Sequence, residues 1–255
     1  MALKFDTTTD PKMAQTKLTI GILETGRPPE ELKQVYGDYP GMVASWLGDL
    51  DAHFVSYPVL DNELPPSPTE ADLWVITGSK FGAYEDHPWI PPLEDFIRAC
   101  KQENAMMFGI CFGHQMIAQA LGGVVRKSTK GWGLGVHEYD FKNWPAELGQ
   151  QPRNLAIQAY HQDQVEEIPD GAEVLASSPF CEAAALWYPG FAITVQGHPE
   201  FAKPYASALL ESRRGTVLSD KDVDQGQENM AIADNRASIA TLVGQILRNK
   251  QSQMA

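Results

Sequence analysis

Two short stretches of this chain hold side chains that could do covalent chemistry together: Gly109-Ile-Cys-Phe-Gly113 and Gln196-Gly-His-Pro-Glu200. Cys111 is the candidate nucleophile. Before it, Ala105 to Ile110 is a nearly continuous apolar run, as a strand buried on both faces would be. After it, Gln115 to Leu121 places Ile117 and Leu121 at helical spacing. Gly109 and Gly113 flank the cysteine two residues away on each side, the thiol counterpart of the G-x-S-x-G nucleophile elbow. A strand-to-helix turn that sharp needs small neighbours, because a Cβ at either glycine would collide with adjoining backbone. At a helix N-terminus, unpaired N–H groups and the helix dipole favour negative charge and so the nucleophilic thiolate, and the same N–H groups could receive an oxyanion. The elbow taken alone also fits a small buried hydrophobe in an ordinary strand-loop-helix.

His198 and Glu200 answer what such a thiol needs. Residues two apart in an extended segment point the same way, and Pro199 disfavours helical conformation at His198. A histidine that takes a proton from a thiol needs an acceptor on its other ring nitrogen, which a nearby carboxylate supplies. A Cys111-His198-Glu200 triad is therefore expected, although His-Pro-Glu by itself would be a polar turn. His161 reads as a hydrogen-bonded turn residue, in a polar loop from His161 to Val165 that could touch a substrate.

These groups must be brought together by the elements between them. Lys17–Glu24, His53–Val59 and Leu73–Thr77 read as strands, separated by helical patterning over Glu30–Leu50 that breaks around Gly37-Asp-Tyr-Pro-Gly41. Pro92–Cys100 is a further helix, with Leu93, Phe96, Ile97 and Cys100 on one face. Strands separated by helices predict an α/β domain around a parallel sheet, whose ligands collect beyond the strands' carboxyl ends. The loop Thr77-Gly78-Ser79 would share that edge with the elbow, so Gly78 or Ser79 could supply a second oxyanion donor beside the Phe112 N–H. Gly131-Trp-Gly-Leu-Gly135 reads as a loop without dinucleotide-binding spacing, and no cofactor is assigned to it. From Val136 to Val195, short strands at Val136–Phe141, Leu155–Tyr160, Glu173–Ala176, Ala184–Trp187 and Phe191–Val195 predict added β-hairpins lying on the parallel sheet. Helices follow at Phe201–Arg213 and Gln227–Leu247, with Ser219–Asp224 between them as a solvated loop. Residues 1–16 read as a flexible leader and 17–250 as a single domain.

Twenty basic against thirty-three acidic residues give a net charge of -13, which would repel nucleic acid and anionic membrane and favours a small-molecule or protein partner. Three cysteines form no paired framework, and no apolar run is long enough for a membrane span, so a cytoplasmic location is expected. A zinc site from Cys111, His114 and His198 lacks further ligands at zinc spacing. An α/β-hydrolase would place its acid before its histidine, the reverse of His198 and Glu200.

Taken together, Thr77-Gly78-Ser79, Gly109-Ile-Cys-Phe-Gly-His-Gln115, His161-Gln-Asp163 and Gly197-His-Pro-Glu200 resemble the class I glutamine amidotransferases, in family order along the chain. The likeness is to the stand-alone branch similar to the amidotransferase part of GMP synthase, and to the plant γ-glutamyl peptidases. The resemblance implies a doubly wound, flavodoxin-like α/β fold with a mostly parallel sheet and helices on both faces, and attack of Cys111 on a γ-glutamyl carbonyl, with His198 shuttling the proton and Glu200 orienting His198. By the same likeness, Ser79 and Phe112 amides would form the oxyanion hole, Gln115 would contact the glutamyl group, and Gly78, Gln162 and Asp163 would complete the substrate site. His114 would be scaffold. Gly78-Ser79-Lys80 departs from the Gly-Gly-Pro of many members. The family's γ-glutamyl amide could be glutamine, with ammonia passed to a separate synthetase subunit, or a γ-glutamyl compound cleaved without a partner. A catalytically silent regulatory module of the same fold is the further alternative.

Overall fold

The structure is a computed structural model that describes residues 17–254; the leader expected over residues 1–16 lies outside them. In chain order its first half holds β1 (Leu18–Leu23), α1 (Glu30–Tyr36), α2 (Tyr39–Trp46), β2 (Ala52–Tyr57), β3 (Leu73–Ile76), α3 (Ile90–Gln102), β4 (Met106–Ile110) and α4 (Phe112–Ala120). Then come β5 (Val124–Lys127), β6 (Gly133–Phe141), β7 (Leu155–His161), β8 (Asp163–Glu167), β9 (Glu173–Ser177), β10 (Ala185–Tyr188) and β11 (Ala192–Val195). Three helices close the chain: α5 (Lys203–Arg213), α6 (Asp220–Asn229) and α7 (Arg236–Met254).

Nine strands form one sheet in the order β2-β1-β3-β4-β11-β10-β9-β6-β7. Pairing is parallel from β2 to β11 and antiparallel from β11 to β7. The chain leaves β1 toward β2 and returns to the other side for β3, so the loops after β1 and β3 border a crevice at the switch point of a doubly wound, flavodoxin-like sheet. Successive strand residues face opposite sides, and here both sides are covered. Ile20, Ile22, Leu73, Val75, Met106 and Phe108 pack with Val43 of α2, with Leu47 that caps it, and with Ile239, Val243 and Ile246 of α7. Leu23, Trp74, Ile76 and Met107 pack on the other side with Leu93, Phe96 and Ile97 of α3 and Met116 and Ile117 of α4. Among the described residues no helix is long and apolar enough to cross a membrane.

Four expectations are corrected. The hairpin strands extend the main sheet instead of lying on it; only β5 and β8 pair apart as a two-stranded sheet. Gly133 to Gly135 belong to β6, because glycine is needed where this strand meets α6: a Cβ on Gly135 would stand 2.3 Å from the Gly226 carbonyl oxygen. The polar stretch after His161 is strand β8, since its register with β5 satisfies its backbone. Ser219 to Asp224 is the start of helix α6, whose capping box has Asp222 N–H donating to Ser219 Oγ at 3.2 Å and Ser219 N–H donating to Asp222 Oδ2 at 3.3 Å. The helix expected over Gln227–Leu247 consequently divides between α6 and α7.

Trp74 anchors the α3 side. Its Nε1 donates to the Pro68 carbonyl at 2.7 Å, and its ring meets Phe96 edge-on at 5.1 Å. A Cβ on Gly21 in the neighbouring strand would come within 2.2 Å of that pinned ring. Gly21→Ala should therefore destabilise the fold by about 2 kcal/mol, the cost of overpacking a filled core, measured as a lower midpoint in urea. An unchanged midpoint would show that the ring is free to shift.

Candidate active site

The elbow lies where β4 turns into α4. Cys111 takes φ 49° and ψ -99°, a left-handed conformation that costs a non-glycine residue about 1–3 kcal/mol. The surroundings hold it there. A Cβ on Gly109 would stand 2.7 Å from the Gly113 carbonyl, and one on Gly113 would stand 2.5 Å from the Ile76 carbonyl oxygen of β3. The two glycines therefore let the start of α4 lie directly against β3 and β4. The Cys111 N–H donates to the Val195 carbonyl at 2.9 Å, continuing the β4–β11 pairing past the strands and bringing Gln196 beside the thiol. The Gln115 N–H donates to Cys111 O at 3.1 Å, so the amides of Phe112, Gly113 and His114 precede the first helical bond and have no intrahelical acceptor.

The loops after β1 and β3 are fastened to each other. Thr25 N–H donates to Thr77 Oγ1 at 3.0 Å, and Thr25 Oγ1 donates to the Thr77 carbonyl at 2.8 Å. Gly26 then packs on Gly78, where a Cβ would be 2.3 Å from the Gly78 oxygen. Gly78 in turn borders the imidazole: a Cβ there would lie 2.6 Å from His198 Cε1.

His198 is buried, with Nδ1 2.8 Å from Glu200 Oε1. Cys111 shares a cleft with His198 and acts electrostatically on the imidazole. The His198 backbone N–H donates to the Gln158 carbonyl at 2.7 Å, and its ring stacks on Phe201 with centroids 4.0 Å apart and planes 9° from parallel. Arg236, at the start of α7, holds the turn from outside, donating from Nε to the Pro199 carbonyl at 2.7 Å and from Nη2 to the Glu200 carbonyl at 3.2 Å. Burial is the largest single influence on His198 and opposes its charge, but Glu200 and Cys111 outweigh it and push the imidazole up to about 10. His114 and His161 have no such partner. Burial, aided at His161 by His137, pushes each down to about 3. Burial likewise pushes the Cys100 and Cys181 thiols up to about 12, leaving them as scaffold.

A cleft of about 470 Å³ opens over the elbow and is lined by Gly78, Ser79, Cys111, Gln115, Gln162, Asp163 and His198. Of the residues picked from sequence, only Phe112 and Glu200 are absent from that lining; both are buried behind it. Gln115 departs from expectation in one respect. Its Nε2 donates to the Asp163 carbonyl at 2.9 Å and to Gln196 Oε1 at 3.2 Å, so both amide hydrogens are taken and only its oxygen is left for a ligand. Burial raises the Asp163 carboxyl above the usual range, against the opposing pull of Tyr84 and Lys127. The cleft is also lined by Trp132, Tyr160, Leu209, Arg213 and Val217.

Sequence reasoning passed over Gln196, Gly26, Phe201 and Arg236. Gln196 could have been found, since the same period of two that pairs His198 with Glu200 includes it. Gly26 looked like an ordinary turn glycine, and nothing local marks Phe201 or Arg236.

The His198 ion pair sets a direction for stability against pH. A histidine raised in the folded chain stabilises it fully below the ordinary imidazole value of about 6.5, and that contribution is lost as pH rises through the raised value. His114 and His161 do not titrate in this window. Urea unfolding of the wild type should therefore weaken between neutral and strongly alkaline pH more steeply than that of His198→Gln. Parallel profiles would refute the ion pair.

Residues 55–213 match the family described as glutamine amidotransferase class-I. A glutamine amidotransferase-like protein of Schizosaccharomyces pombe is 31% identical over an alignment covering 86% of this chain and 92% of its own. Gamma-glutamyl peptidase 4 of Arabidopsis thaliana is 36% identical, over 78% of this chain and 82% of its own. The crystal structure of a glutamine amidotransferase from Thermotoga maritima shares the fold with a TM-score of 0.69 at 20% identity, covering 91% of this chain and 96% of that one. With that family match over more than half of its length and a relative 31% identical across 86% of it, this chain belongs to the class I glutamine amidotransferases.

Proposed function

We propose that this chain hydrolyses a γ-glutamyl amide through a thioester on Cys111. The observation that carries the reading is a cysteine turned into the left-handed region in the wall of a cleft that it shares with a histidine whose Nδ1 is held by a buried carboxylate. Cys111 sulfur attacks the γ-carbonyl carbon, and the oxygen takes up negative charge facing the amides of Phe112 and Ser79. His198, holding the thiol proton, delivers it to the leaving nitrogen as the carbon–nitrogen bond breaks. Water then attacks the thioester, giving its proton to His198, and glutamate leaves as the proton returns to sulfur. Glu200 orients the imidazole and stabilises its charge throughout.

Gln162, Asp163 and the Gln115 oxygen form the polar corner suited to the glutamyl amino and carboxylate ends. The leaving group meets a different surface. Arg213 acts electrostatically on Tyr160 and makes no ion pair with a carboxylate among the described residues, and Trp132, Leu209 and Val217 line the same cleft. The last turn of a helix favours a cation in any protein, but that does not call for a place in the cleft wall. This second group supports a γ-glutamyl peptide, with an apolar side chain and a free carboxylate on its leaving amine, over free glutamine. The alternative, glutamine cleavage that feeds ammonia to a separate synthetase subunit, draws its support from the amidotransferase-like relative in Schizosaccharomyces pombe.

A glutamine-like electrophile should label Cys111 alone, and Cys111→Ser should abolish glutamate release. His198→Ala should cost nearly as much, because members of such a set act as a unit, and Glu200→Gln less. Full activity in all three variants would refute the assignment.

Glutamate release from glutamine and from a panel of γ-glutamyl dipeptides and γ-glutamyl alkylamines separates the substrates. Efficient cleavage of dipeptides with apolar C-terminal residues is expected, with Arg213→Gln raising KM about tenfold for these, as loss of a charged hydrogen bond does, and leaving the alkylamines unchanged. Glutamine turnover appearing only with an added synthetase would support the amidotransferase subunit. No turnover and no acyl-enzyme under either condition would favour the silent module.

A further inference from the structure

One side chain outside the expected triad touches the sulfur. Gln196 is fully buried, and its Nε2 lies 3.8 Å from Cys111 Sγ, within the range of a hydrogen bond to sulfur. Which end of a carboxamide faces a neighbour is settled by the surrounding network. Here Gln115 settles it. Its amide nitrogen lies 2.9 Å from the Asp163 carbonyl oxygen, which can only accept, and 3.2 Å from Gln196 Oε1. Two hydrogens on that nitrogen serve two oxygens, so the Gln196 oxygen is committed to Gln115 and its NH₂ faces the sulfur. Turning Gln196 over would set two NH₂ groups against each other and present an oxygen to the sulfur, losing both contacts in a buried place where neither group could turn to water.

We infer that Gln196 is a positioning residue for Cys111, its amide N–H aiming the sulfur and favouring the thiolate, and that Gln115 acts on the nucleophile through Gln196 by locking that amide. The inference rests on Cys111 being the nucleophile. A thiol is a weak acceptor, whereas a hydrogen bond to a charged acceptor is roughly twice as strong as a neutral one, so this donor discriminates in favour of the reactive form. Continuity of the β4–β11 pairing through the Cys111 N–H to Val195 carbonyl bond places Gln196 where it can do so.

The test needs no substrate. Full-length protein is treated with iodoacetamide between pH 5 and 10, and alkylation of Cys111 is followed by mass spectrometry, with buried Cys100 and Cys181 as internal controls. Gln196→Leu should slow Cys111 alkylation about tenfold at neutral pH, the effect of losing a donor to a charged acceptor, and move its profile to higher pH. Gln196→Glu, which sets a carboxylate against the sulfur, should act more strongly. Gln115→Leu should act in the same direction but less, because an unlocked Gln196 is free to turn. In turnover, Gln196→Leu should lower kcat with KM little changed. A folded Gln196→Leu protein whose alkylation profile superimposes on the wild type overturns the inference. If that variant does not fold, Gln196→Met and Gln115→Leu decide it by the same comparison. Dependence of alkylation on Gln196 in a protein that cleaves no γ-glutamyl substrate would overturn the proposed activity and leave the amide pair standing.

Discussion

The structure turns on a single backbone conformation. Cys111 is held with positive φ because Gly109 and Gly113 allow the first turn of α4 to sit against β3 and β4 with no Cβ between them. The strain costs about 1–3 kcal/mol, and nothing within the turn itself compensates for it. Compensation comes from the packed sheet on either side: Ile76 and Phe108 below, and Val195 bonded to the cysteine amide. The rest of the site follows from that geometry. A cysteine so turned presents its sulfur above the carboxyl ends of the parallel strands, where loops from β3 and β11 are already converging. The doubly wound topology brings β1, β3, β4 and β11 side by side, so four separate stretches of sequence end within reach of one atom.

Electrostatics then selects one histidine out of several. His114, His161 and His198 are all buried, yet two are held neutral by burial and only His198 is charged. The difference is not depth but partner: Glu200 follows two residues on and its carboxylate bonds the ring, while His114 has no carboxylate and its Nδ1 lies 2.7 Å from the Thr194 hydroxyl. Stacking on Phe201 and the close edge of Gly78 leave the His198 ring little freedom to turn. A charged imidazole in this position needs both its carboxylate and its walls.

Much of this was legible in the sequence, and the exceptions share a cause. The elbow and the His-Pro-Glu turn were readable because each encodes its geometry locally, through glycines flanking a cysteine and a proline between two functional residues. The parallel core strands were equally plain as short apolar runs. Polar segments misled: Ser219 to Asp224 looked like solvated loop but begins a helix, its Ser-x-x-Asp cap outweighing its charge, and the stretch after His161 looked like loop but finds its strand partner in β5, far away in the chain. Gln115 lines the cleft, yet its amide nitrogen is bonded to the Asp163 carbonyl and the Gln196 side chain. Such contacts depend on segments separated by some eighty residues, as Gln115 and Gln196 are, and no local pattern announces them.

Arg236 draws out a different consequence. The guanidinium that fastens the His-Pro-Glu turn belongs to α7, beyond residues 55–213 that match the family. The turn that carries the base is therefore complete only once α7 has docked: a chain shortened before Arg236 would lose both bonds to the Pro199 and Glu200 carbonyls while keeping the elbow's own bond to Val195.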